Sequence, residues 1–165
     1  MKQLLFTWLI CLSIISCDKK KEISSIAPVN WDRRTVNYTL DDSLDSGSTY
    51  LSVYSQIYST TEHKTFDLTA TISMRNTNRE DTIFIEKAEY FNTKGKLIRT
   101  YFSKPIYLAP METVEIVIDQ RDKEGGTGAN FIFDWKIKPS SNEPLFECVM
   151  VSTYLSFTTN GKRIN

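Results

Sequence analysis

At 165 residues the chain is long enough for one domain, and a hydrophobic content of 41% is enough to give that domain a core. Lysine plus arginine and aspartate plus glutamate stand at 20 each, so no long-range field selects nucleic acid as a partner. Aromatics at 12%, with abundant Thr, Ile and Val, favour sheet over helix and exclude disorder for most of the chain.

Residues 1–16 have the form of a secretory signal peptide, with Lys2 at the start, an apolar run from Leu4 to Ile15 and the small residue Ser16 before Cys17. That run is about 12 residues, short of the roughly 20 a spanning helix needs, so a retained transmembrane anchor is the weaker alternative. Ile14-Ile15-Ser16-Cys17 resembles the lipobox of bacterial lipoproteins, in which cleavage before a diacylglyceryl-modified cysteine makes that cysteine residue one. The resemblance implies lipidation at Cys17 and a lipid-anchored place in the cell envelope, on the periplasmic face of the inner or outer membrane. An ordinary secreted protein is the other reading. Cys11 leaves with the signal and Cys17 is taken by lipid, so Cys148 is alone in the mature chain and no internal disulfide forms. Inside the largely apolar run Leu145–Val151, Cys148 reads as a small buried hydrophobe rather than a nucleophile.

Residues 17–48 are expected to form the lipidated cysteine and a polar tether, with Lys19, Lys20 and Lys21 beside the membrane and one short strand within Trp31–Leu40. The turn-rich run Asp41–Ser48 marks a boundary, and a β domain is expected over 49–165. From Thr49 to Tyr58 the pattern predicts a strand that carries Tyr50, Tyr54 and Tyr58 on one face. Such a row suits a partner surface or a stacking platform for a sugar ring, although strand tyrosines also pack beneath neighbouring loops. His63, the only histidine, falls in an expected turn over Thr60–Lys64, with no second histidine or cysteine cluster to make a zinc site.

Phe66, Leu68, Ala70, Ile72 and Met74 alternate with polar residues and predict a half-buried strand ending at the turn 75–79. In the next strand the apolar phase moves from Ile83 and Ile85 to Ala88 and Tyr90, which predicts a β-bulge near Glu86-Lys87. Asn92-Thr93-Lys94-Gly95 predicts a hairpin with Gly95 at positive φ. Thr113–Asp119 and Phe131–Ile137 alternate again, and Leu145–Phe157 reads as one long strand covered on both sides. About seven or eight strands with a turn signal every ten residues or so predict an all-β fold, an antiparallel two-sheet sandwich of the Ig-like or fibronectin III-like kind.

No constellation for catalysis stands out, so the chain is expected not to be an enzyme and to carry no cofactor or metal. The glycine-rich loop lacks the Gly-Lys-Ser/Thr end of a phosphate loop, and Asp119, Asp122 and Glu124 do not follow calcium-loop spacing. If a loop binds a small ligand or ion, Asp119, Gly125, Gly126, Thr127, Gly128 and Asn130 are the candidates, because glycines leave backbone donors uncovered. The alternative is that the glycines only permit a strained turn.

The run Phe66–Thr77, the hairpin from Tyr90-Phe91 to Gly95-Lys96-Leu97, Leu108-Ala109-Pro110 and Gly125-Gly126-Thr127-Gly128-Ala129-Asn130-Phe131 together resemble the bacterial domain-of-unknown-function family 3124 (DUF3124). The likeness spans roughly Tyr50 to Gly161 and implies an envelope β-sandwich with no catalytic residues to carry over. On this reading the protein is a non-enzymatic binding or scaffolding module. It is held to the membrane by lipid, with an envelope protein or a glycan as partner.

Overall fold

The computed structural model describes residues 29–153 and 156–164; the signal-like segment, Cys17 and the lysine run lie outside them. Its strands are β1 (Asp45–Ser52), β2 (Gln56–Ser59), β3 (Thr61–Asp67), β4 (Thr69–Arg75), β5 (Ile83–Phe91), β6 (Leu97–Thr100), β7 (Ile106–Leu108), β8 (Thr113–Ile118), β9 (Asn130–Ile137), β10 (Leu145–Val151), β11 (Ser156–Asn160) and β12 (Lys162–Arg163). The fold is all-β and antiparallel. One sheet runs β12-β1-β9-β5-β6, with β7 beside β6 on the same edge of β5; the second runs β11-β10-β4-β8; β2 and β3 form a separate ribbon.

The alternation in β4, β8 and β9 places Ala70, Ile72 and Met74, Val114, Ile116 and Ile118, and Phe131, Phe133, Trp135 and Ile137 in the core between the sheets. Phe133 of the first sheet stacks on Phe146 of the second with ring centroids 4.3 Å apart, and Phe131 and Tyr90 extend the stack within the first. The expected bulge is present: the β5–β9 register shifts between Ile85 and Lys87, so residues on both sides of it stay buried. The hairpin after β5 is also as expected, with Gly95 at φ +74° and its amide donating to the Asn92 carbonyl at 2.8 Å.

Several expectations need correction. Trp31–Leu40 contains no strand but a single 3-10 turn, Trp31–Arg34, because the Asn30 side chain accepts from the Arg33 amide and caps it. From Val29 onward this arm is docked rather than free: Trp31 packs on Phe102, Val36 and Leu40 are buried, and Thr35 bridges to Ile106. The strand expected over Thr49–Tyr58 ends at Ser52. There the chain leaves the first sheet, because Val53 and Ser55 donate to Ala129 and Gly126 instead of continuing a ladder.

Phe66 and Leu68 likewise do not share a strand. Phe66 pairs with Ile57 in the ribbon, while the Leu68 amide donates to the Ser55 carbonyl and starts the path into β4. The expected turn 60–64 shrinks to Thr60 at φ +65°, leaving His63 on β3. Finally, the strand expected over 145–157 is two strands. β10 alternates cleanly, burying Phe146, Cys148 and Met150 and exposing Leu145, Val149 and Val151.

Candidate functional site

The glycine-rich loop packs against its own scaffold. The Gly126 amide donates to Ser55 Oγ at 2.9 Å, the Gly128 amide donates to Thr93 Oγ1 at 2.9 Å, and Thr93 donates its amide and hydroxyl to the Gly125 carbonyl. Two of the amides that suggested an anion cradle are therefore already occupied. Gly125 lies against the Tyr90 hydroxyl, where a Cβ would stand 1.9 Å away, so only glycine permits this approach. Burial pushes the Tyr90 phenol well above its ordinary range, an effect that nearby Ser55 partly offsets. Among the described residues, the Tyr90 hydroxyl is the buried side-chain polar atom whose hydrogen-bonding capacity is unmet.

Asp119, Asp122 and Glu124 do not converge on an ion. Arg121 holds the Asp119 carboxyl below its usual range by side-chain and backbone hydrogen bonds. Asp122 is buried and takes Arg99 Nη2 at 2.9 Å, with Glu124 at 3.6 Å from the same nitrogen. Arg99 also donates to the Tyr101 hydroxyl at 3.3 Å. Among the described residues Thr127 Oγ1 reaches the Tyr58 hydroxyl at 3.5 Å, and Asn130 opens β9 opposite Ser52 and Phe91. Ser55, Thr93 and Arg99 are the residues that sequence reasoning missed, because each acts on the loop from at least 20 residues away. Among the described residues no group of three or more His, Cys, Asp or Glu could hold a metal ion. His63 is exposed beside Glu62, and burial pushes the Cys148 thiol up to about 12.

The tyrosines form no single row. Tyr50 lies on the outer side of β1, Tyr58 is exposed on β2, and Tyr54, between those strands, packs on the core. Two other surfaces stand out. Where the docked arm crosses the edge of the first sheet it leaves two clefts of about 440 Å³ each, which share Asn37 and Lys104 in their walls. On the outer face of the second sheet, Thr158, Val149, Thr71 and Val117 align across four strands, with Ser156, Val151 and Thr69 in the adjoining row. That band carries no charge; beyond it lie Glu147, Glu115 and Arg75, with Arg75 Nε on Glu147 at 2.7 Å.

No curated protein matches the chain. Among solved structures it is similar to that of Thermotoga maritima 1070, at 9% identity and a TM-score of 0.42, over 70% of this chain and 92% of that one. Residues 46–164 match the family described as protein of unknown function (DUF3124), and the chain belongs to that family.

Proposed function

We propose that this protein is a lipid-anchored lipoprotein of the bacterial cell envelope, modified at Cys17 and exposed on the periplasmic face of the inner or outer membrane. Its sandwich is a non-enzymatic module that binds a protein partner through the outer face of the second sheet. The anchor rests on Ile14-Ile15-Ser16-Cys17, and the binding role rests on one observation, the uncharged band. Val149 and Val151 are 43% and 46% exposed, within a band of neutral, mostly β-branched side chains that offers contact area at little desolvation cost. The glycine-rich loop is the weaker site for a ligand, because Ser55, Thr93 and Arg99 already engage its polar groups.

The test is co-purification from gently solubilised native membranes beside a Cys17→Ala control. A protein enriched with the wild type and lost with Val149→Lys, while the melting temperature holds, is the expected result. Enrichment that survives Val149→Lys but not the joint change of Tyr50, Tyr54 and Tyr58 places the partner elsewhere and overturns the surface assigned here. A metal or metabolite in place of any protein, lost on Asn130→Ala, overturns the protein-binding role itself.

A further inference from the structure

The first of the two clefts lies at the opposite sheet from the band and has a different chemistry. Its walls include Trp31, Tyr101 and Phe102 together with Asp32, Asn37 and Lys104. The aromatic pair is fixed: Trp31 meets Phe102 at 5.3 Å between ring centroids with a tilt of 50°, and Phe102 is itself buried. The arm that carries Trp31 is fixed as well, since Arg34 Nη2 reaches Glu112 Oε1 at 2.6 Å and the Val36 amide donates to the Pro105 carbonyl at 2.8 Å. In contrast to the glycine-rich loop, the side chains of Asp32, Asn37 and Lys104 have no hydrogen-bond or ion-pair partner among the described residues. Three solvent-exposed polar side chains free for a ligand and a fixed aromatic pair thus share one cleft of about 440 Å³, inside the range of small-molecule sites.

We infer that this cleft binds a neutral oligosaccharide. A pyranose ring presents an apolar C–H face that packs on an aromatic side chain and a rim of hydroxyls that both donate and accept. Asp32 accepts, Lys104 donates and Asn37 does both. An anionic ligand meets Asp32, and a purely apolar one strips water from all three polar groups without replacing it. The one carboxylate and the one ammonium balance, which suits a ligand without charge.

The probes are maltotriose, cellotriose and chitotriose, titrated by calorimetry into the full lipidated protein in a zwitterionic detergent without a sugar headgroup. Saturable binding of at least one is expected, weakened about tenfold or more by Asn37→Ala and by Trp31→Ala. Asn37 is an exposed arm residue whose side chain has no partner among the described residues, so Asn37→Ala keeps the test valid should Trp31→Ala fail to fold. Val149→Lys leaves sugar binding intact, which separates this site from the protein-binding face. Binding of none of the three, binding that survives Asn37→Ala, or preference for a sulfated trisaccharide overturns the inference.

Discussion

At the scale of single residues, Tyr90 and Gly125 show how a side chain and a bare backbone fix each other. Tyr90 stacks on Phe131 at 4.8 Å, and its hydroxyl ends beneath Gly125. A methyl group at 125 would meet the hydroxyl oxygen at 1.9 Å and the ring carbon behind it at 2.9 Å. Gly125→Ala is therefore expected to cost about 1–3 kcal/mol through overpacking. Tyr90→Phe removes an oxygen that has no good partner, and should change stability by about 1 kcal/mol or less. Combined, the two changes should cost less than their sum, because the oxygen that clashes is gone. Urea unfolding of the four proteins in this cycle measures the coupling, and strict additivity would show that the contact does not govern the loop.

Among the elements, the arm 29–42 behaves least like its sequence. One of its attachments is the ion pair of Arg34 and Glu112, whose side chains are about a quarter exposed. The hydrogen bond from Arg34 holds the Glu112 carboxyl below its ordinary value of 4.5. A carboxyl depressed by folding contributes its full stability above its ordinary value and loses it as pH falls through the depressed one. The arm should thus loosen below about pH 4.5, read as a red shift of Trp31 emission after subtraction of a Trp31→Phe protein. Glu112→Gln should flatten that transition while leaving the acid unfolding of the rest in place. Alternation made β4, β8 and β9 legible, since each has one face on the core and one on water. The arm was not legible, because the alternation of Val36, Tyr38 and Leu40 is the same whether a strand ladder or a cap at Asn30 organises the segment. The loop was half legible: its glycines mark a special backbone, yet nothing local announces Ser55, Thr93 or Arg99.

For the whole molecule, the decisive polar element is Asn76. Buried at the end of β4, its amide nitrogen donates to the carbonyls of Asp81, Leu108 and Ala109, while its oxygen accepts from the Asn78 amide and side chain. Asn78 passes the connection on to Asn142. Three loops from both sheets are thereby tied at one end of the sandwich. Asn76→Ala should cost about 2–4 kcal/mol, because several buried groups lose their partner at once. Asn92→Ala, at the exposed hairpin, should cost about 1 kcal/mol or less. Chemical denaturation distinguishes the two, and an equal cost for both would remove the special role of Asn76.

The docked arm also decides how the molecule responds to a pull from its N-terminal side. Load entering at Val29 reaches Arg34, the Thr35 bridge and the Val36 amide before it reaches β1, which is held on both edges by β12 and β9. Those few contacts break in succession, whereas the flanking ladders of β1 bear load together. The arm is in this sense expected to act as a mechanical fuse, the aromatic cleft it walls opening under tension before the sandwich behind it yields.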